Sequence, residues 1–252
     1  MRIRHCLALA ALALATSCYQ FEITGQAGFA QLGLDGDIGY VSGSGGVTAQ
    51  DDIETALGLG DEQGTPIVRA AMDFGVPNLA VSGFLFEDEG RGTLTQQFGN
   101  VSANVPVLTD FEMASAKVSY TFEIPLGPVS LQPGIAANFV DLSIFVRDSI
   151  GAASENVELQ APLPMLFGRV EVDIVSAVQL VGEVGYVSVD VDDVDAEMLD
   201  IEALLEITAL EPLNLFVGYR SIDFEGEGDI DGDSVDIDIG ISGLLIGGGI
   251  RF

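Results

Sequence analysis

Gly243-Leu-Leu-Ile-Gly-Gly-Gly-Ile-Arg-Phe252 closes the chain, and its alternation decides the fold. Residues two apart share one face of an extended strand. Leu244, Ile246, Gly248, Ile250 and Phe252 make one face apolar or small, while Gly247, Gly249 and Arg251 make the other. Three consecutive glycines disfavour a helix, so the stretch reads as a strand with one oily side.

Working back toward the N-terminus, the same two-residue period recurs. It marks extended segments at about 32–44, 65–75, 78–88, 109–123, 128–147, 155–174, 177–190, 196–209, 212–225 and 234–252. Val68, Ala70 and Met72 oppose Arg69 and Asp73; Ala116, Val118, Tyr120 and Phe122 oppose Ser115, Lys117, Ser119 and Thr121. Leu166, Val170 and Val172 oppose Arg169, Glu171 and Asp173, and Leu215, Val217 and Tyr219 oppose Asn214 and Arg220. Short Pro- and Gly-containing connections at 75–78, 124–128, 174–177 and 209–212 alternate with longer acidic ones at 45–64, 89–108, 148–154, 191–195 and 226–233. Strict alternation puts the two kinds of connection at opposite ends of a meander. An even strand number brings both termini to one side.

The apolar stripe changes phase within three segments: at Pro162-Leu163-Pro164, near Phe139-Val140, and near Ser242-Gly243. Proline and glycine are where β-bulges are tolerated, so the pattern predicts a bulge at each.

Two barrels fit such strands. A soluble one turns its oily faces inward; a membrane one turns them to lipid. The segments reach the ~9–11 residues that cross a bilayer. Ten oily faces would also overfill a barrel interior, since ~8 strands enclose little more than their own side chains. The expectation is therefore an all-β, transmembrane, antiparallel up-and-down β-barrel of about ten strands, eight being the alternative, spanning 32–252. Short turns then face the periplasm and longer loops face outward. No run of about 18 apolar residues is present, as a membrane helix would need.

Residues 1–17 read as a secretory signal: a basic start, an apolar stretch from Cys6 to Ala15, then Thr16-Ser17. Ala15-Thr16-Ser17-Cys18 resembles a lipobox, which makes Cys18 a lipidation candidate. Residues 18–31 read as a periplasmic tether or an extension of the first strand. Of nine Lys and Arg, Arg2 and Arg4 lie in the leader, leaving seven bases against 39 acids. That balance repels nucleic acid. It also repels anionic lipopolysaccharide unless a cation bridges the two.

With the oily side outward, the scarce bases fall in the lumen. Arg69, Lys117, Arg169 and Arg220 are expected to neutralise Asp73, Asp141, Glu171, Glu183, Glu202 and Glu206 there. The plain reading is structural pairing that fills a narrow interior; the sharper one is a path or site for a solute.

Pro162-Leu-Pro-Met-Leu-Phe-Gly-Arg-Val-Glu171, Gly218-Tyr-Arg220, Ile250-Arg-Phe252, Asp51-Asp-Ile-Glu-Thr-Ala-Leu-Gly-Leu59 and Pro77-Asn-Leu79 lie in matching order. On these motifs the chain resembles a family of functionally uncharacterised Gram-negative outer-membrane β-barrel proteins over roughly 35–252. The resemblance implies one outer-membrane barrel without an assigned activity. Phe252 would serve as the terminal signal read by the barrel-assembly machinery, and outer-membrane lipid and lipopolysaccharide would be the partners.

The one histidine is His5, in the leader. The rest of the chain therefore lacks the imidazole that Ser-His and Cys-His nucleophiles and most zinc sites use, and a non-enzymatic role is expected. No cofactor is expected beyond calcium in a loop. Asp229, Asp231, Asp233 and Asp236 set carboxylates at close spacing around Gly232, a weak match to the oxygen-rich sites that hard cations prefer. Solvated loop acids are the plainer reading. Three roles stay open: a structural or surface-interaction barrel, a narrow pore or carrier for small or apolar solutes, and a lipid-anchored periplasmic ligand-binding barrel.

Overall fold

The computed structural model describes residues 21–41, 43, 46–47, 49–151, 153–191, 194–230 and 233–252. The signal segment and Cys18 lie outside them. Ten long strands follow one another: β1 (Glu22–Val41), β2 (Gln63–Asp73), β3 (Pro77–Thr93), β4 (Pro106–Phe122), β5 (Val129–Asp148), β6 (Ser154–Val175), β7 (Val178–Val191), β8 (Val194–Leu210), β9 (Leu213–Ile230) and β10 (Asp233–Arg251). Each pairs antiparallel with its sequence neighbour, and β10 pairs with β1 from Thr24↔Arg251 to Val41↔Ser234. The ring is closed by this pairing, so β1 and β10 are not left as free edges of an open sheet. Phe252 completes the seam: its N–H donates to the Ile23 carbonyl and its carbonyl accepts from the Ile23 N–H, both at 2.9 Å.

The strands are taller than the sequence pattern suggests. β1 begins at Glu22, about ten residues before the expected start, and β6 runs for 22 residues. That is about twice the ~9–11 residues a bilayer crossing needs. The expected outward loops at 191–195 and 226–233 are largely absorbed into these strands, while the connection at 148–154 stays between Asp148, the end of β5, and Ser154, the start of β6.

This height corrects the expected bulges. Between β5 and β6 the register runs unbroken from Val129↔Val172 to Arg147↔Ser154, through Phe139↔Pro162. Between β1 and β10 it runs unbroken through Gly33↔Ser242. The register shifts present lie instead at Asp173/Val175 and Thr208/Leu210, beside the short turns. Through the expected bulge positions side-chain parity is unchanged; polarity changes. On β5 the even residues face inward throughout, polar at Gln132 and Asn138, then apolar at Val140, Leu142, Ile144 and Val146. The odd residues face outward, apolar at Leu131, Ile135 and Phe139, then polar at Asp141 and Ser143.

The other strands invert at the same level. Outward residues turn from Phe29 to Gln31, from Leu85 to Glu87, from Tyr219 to Ser221 and from Leu244 to Ser242. Below that level the wall faces lipid and the lumen is polar; above it the wall faces water and the interior is an oily core. A barrel that leaves the bilayer must swap its faces, and an unbroken strand does so by changing composition rather than register.

The outer storey is packed. Phe86, Phe98, Phe111, Leu34, Ile38, Met113, Ile144 and Met198 are fully buried inside it. Phe86 meets Phe111 edge-on with centroids 5.9 Å apart. The segment after β1 helps close the wall. Asp52 caps a π-helical turn, Ile53–Leu57, by accepting from the Thr55 N–H and hydroxyl, both at 2.7 Å. These bonds hold its carboxyl below the usual Asp range, the hydroxyl contributing most. Gly58 ends the turn at φ 74°, against the β3 backbone: a Cβ there would sit 2.2 Å from the Arg91 carbonyl oxygen. The turn occupies the place where β2 has ended and β3 continues outward.

Candidate functional site

The polar half of the lumen holds most of the chain's basic residues. Arg69 on β2 pairs with Glu183 on β7 at 2.9 Å and with Glu202 on β8. Lys117 on β4 reaches Asp200 on β8 at 2.8 Å and Glu183 at 3.4 Å. Arg169 on β6 pairs with Glu171 at 2.6 Å and Glu183 at 2.7 Å. Arg220 on β9 binds Asp200 through two hydrogen bonds of 2.9 Å. Arg251, on the last strand, reaches Glu206 at 3.2 Å and Glu22 at 3.1 Å, and Gln26 donates to Glu206 at 3.0 Å. Glu183, accepting from three bases on three strands, is the hub.

Inward parity on successive strands brings these groups to one level. Each then needs the others, because a buried charge without a partner costs several kcal/mol (roughly 3–5). The layer has an aromatic roof: Lys117 Nζ lies 5.1 Å from the Phe167 ring centroid and the Arg220 guanidinium 5.0 Å from that of Phe84. Above the roof begins the oily core. Below the layer a cavity of about 490 Å³ opens toward the short turns, lined by Glu22, Asp73, Asn78, Thr121, Glu123, Gln132 and Asp173 among others. Between the ion pairs only about 50 Å³ is open, room for one or two waters.

The structure gathers Arg69, Lys117, Arg169, Glu171, Glu183, Glu202, Glu206 and Arg220 into this layer. Asp73 also faces inward, but near the turn, where its carboxylate accepts from the Gly75 N–H at 2.6 Å. Asp141 is a correction. It is exposed on the outer wall and accepts from Gln160 at 3.1 Å. The supposed bulge at Phe139-Val140 had flipped it inward; with parity intact it shares the face of Phe139. Asp200 and Arg251 are additions. Asp200 shares the face of Glu202 and Glu206, so extending that face by one position finds it.

The three described candidate calcium ligands, Asp229, Asp233 and Asp236, do not converge. Asp233 accepts from the Tyr40 hydroxyl at 2.6 Å and the Gly43 N–H at 2.8 Å, which together hold its carboxyl below the usual range. Asp229 accepts from Ser234 at 2.5 Å. Asp236 lies on the outer wall opposite Glu227, and Asp231 lies outside the described residues. Among the described residues no group of three or more His, Cys, Asp or Glu side chains sits at metal-binding spacing.

A closed antiparallel ring, an oily belt facing outward at its lower half and a paired-charge lumen define an integral outer-membrane β-barrel. Leu166, Leu244 and Ile246, 64% to 73% exposed, belong to that belt. The alternative of a lipid-anchored periplasmic barrel would turn this oily face inward, and the structure turns it outward. No protein-family model matches the chain, and no curated protein matches it in sequence. Among solved structures, the outer-membrane protease OmpT from Escherichia coli superposes with a TM-score of 0.60 at 9% identity, over 94% of this chain and 100% of that one. Ail, the attachment invasion locus protein of Yersinia pestis, gives 0.36 at 14% identity over 92% and 98%. The toluene transporter TodX of Pseudomonas putida gives 0.34 at 10% over 92% and 90%. At 9% identity the likeness to OmpT is one of fold alone.

Proposed function

We propose that this protein is a closed, non-enzymatic outer-membrane barrel that serves as a structural and surface-interaction element, presenting an acidic wall outside the bilayer. The observation that carries the reading is the double seal inside it. A layer of mutually satisfied ion pairs is roofed by Phe84 and Phe167, and an oily core with Phe86, Phe98 and Phe111 at less than 2% exposure stands above. Neither seal offers a continuous polar path to ions. The ion-pair groups satisfy one another, and the chain beyond its leader has no histidine to serve as a base.

The outer wall carries Asp35, Glu87, Glu89, Asp110, Glu112, Glu158, Asp223, Glu225 and Asp238, all facing water. Such a wall meets anionic lipopolysaccharide through divalent cations, calcium among them, rather than by direct contact. Planar-bilayer recording tests the reading. Silence under voltage supports a sealed barrel, and stepwise single-channel currents from the folded protein overturn it in favour of a narrow pore.

A further inference from the structure

The ring is closed at its lower level but open along one seam above it. β6 and β7 pair from Val175↔Val178 only as far as Leu166↔Tyr186. Beyond that, β6 continues to Ser154 with β5 as its sole strand partner among the described residues, and β7 continues to Val191 paired with β8. The sequence supplies a reason. Asp173 donates its N–H toward the β5 side, to the Pro128 carbonyl at 2.8 Å. Backbone groups alternate sides along a strand, so the even residues of β6 direct their nitrogens toward β7. At the first unpaired positions these are Pro164 and Pro162, which have no N–H to give.

Behind the seam lies a cavity of about 280 Å³ whose interior wall is almost wholly apolar, with Leu159, Leu163, Val189, Phe224, Val235 and Ile237 on it. Pro162 and Pro164 also line it, so the cavity reaches the seam itself. A space of this kind stays dry, since water needs two or more polar partners. At ~30 Å³ per water-sized group it holds about nine methylenes.

The seam begins where the lipid-facing belt ends. Leu166 and Tyr186, just below, are exposed to lipid, while Gln160 and Ser188, just above, are the first polar outward residues. The rim is acidic: Glu227 lines the cavity, and an adjoining cleft carries Asp195, Glu197 and Glu225.

We propose that the β6–β7 seam is a lateral binding site that admits one acyl chain of an outer-leaflet lipid into this cavity, with a head group that bears no net negative charge. Apolarity and volume select a hydrocarbon chain. The position of the seam at the belt's upper margin selects a membrane lipid as its source, and the acidic rim, where no divalent cation bridges, repels an anionic head. The site is independent of whether the barrel conducts ions.

The test uses the full-length protein in nanodiscs containing a phosphatidylcholine with a diazirine in one acyl chain. After illumination, adducts are mapped by mass spectrometry. Saturable adducts on the inward residues Leu163, Val189 and Ile237 are expected, besides non-saturating ones on outward Leu166 and Val184. Ala161→Phe and Ala196→Phe, each filling the cavity from a different strand, should lose the inward adducts and keep the outward ones, with heat-modifiable gel mobility confirming the fold. Saturation in the wild type is an independent readout should either variant fail to fold. Adducts confined to outward residues, or inward adducts unchanged in both folded variants, overturn the site. Inward labelling by a free diazirine alcohol but none by the phospholipid overturns the lipid assignment. Equal competition by an anionic phosphatidylglycerol, with divalent cations chelated, overturns the charge selection.

Discussion

Arg220 sits opposite Glu202 in the β8–β9 register yet reaches diagonally to Asp200, which it holds with Nε to Oδ1 and Nη2 to Oδ2, both at 2.9 Å. Asp200 also accepts from Lys117, and its carboxylate has no solvent exposure. The pair therefore ties β4, β8 and β9 together at the level where the lumen changes from polar to oily. Removing one member leaves a buried charge without its partner. Arg220→Met should destabilise the barrel by about 3–5 kcal/mol, read as a lower urea midpoint for loss of heat-modifiable gel mobility. Asp200→Leu added to it should recover part of the loss. A double variant weaker than the sum of both singles contradicts the pairing.

Polarity inversion predicts that introducing an arginine has unequal consequences at two heights of one strand. Ile246 and Asp238 both face outward from β10. Ile246→Arg puts a cation against acyl chains and should cost ~2–4 kcal/mol. Asp238→Arg exchanges one solvated charge for another and should stay within about 0.5 kcal/mol. Similar costs at both positions, measured by urea titration in vesicles, argue against a belt that ends between them.

The two interior seals should fail independently. Phe111, 1% exposed and packed edge-on against Phe86, contributes to the core alone. Phe111→Ala should lose about 3–5 kcal/mol of stability yet remain silent in a planar bilayer, because the ion-pair layer beneath it is intact. Conductance appearing in this single variant would show that the ion pairs do not seal the lumen.

Acid should loosen the segment that closes the wall beside β3. Asp52 is held below its ordinary value by the Thr55 hydroxyl first and the Thr55 N–H second. A carboxyl whose folded pKa is depressed stabilises fully above its unfolded value, about 3.9. It loses that contribution as pH falls through the lower folded value. Hydrogen exchange at the Thr55 amide should therefore lose protection, relative to the intrinsic rate, from about pH 4 downward. Asp52→Asn should flatten the dependence. Loss of protection on the alkaline side instead would mean that another group governs the turn.

Much of the fold was legible because β-strand parity survives in sequence. Val68/Arg69, Val118/Lys117, Val170/Arg169 and Val217/Arg220 each announce an oily and a polar face, and the strand number follows from counting such segments. The height of the barrel was not legible. An oily stripe that moves from odd positions at Ile135 and Phe139 to even ones at Val140 and Leu142 is explained equally well by an inserted residue or by a change of surroundings. Composition along a strand does not say where lipid ends. An insertion would turn Asp141 inward; a change of surroundings leaves it outward beside Phe139, as found, so the bulge and the site residue fall together. Asp200 was recoverable from the parity of Glu202. The open β6–β7 seam was not, although Pro162 and Pro164 mark it, because strand pairing depends on a neighbour that the local sequence does not specify.

The most direct test concerns which way β10 faces at each height. Spin labels placed singly at 236, 238, 239, 241, 244 and 246 in vesicle-embedded protein can be probed with oxygen, which collects in lipid, and with a water-soluble nickel chelate. Labels at 244 and 246 should collide mainly with oxygen, those at 236 and 238 mainly with nickel, and those at 239 and 241, buried away from the β6–β7 cavity, with neither. Nickel access at 244 and 246, or oxygen access at 239 and 241, would contradict the two-storey barrel.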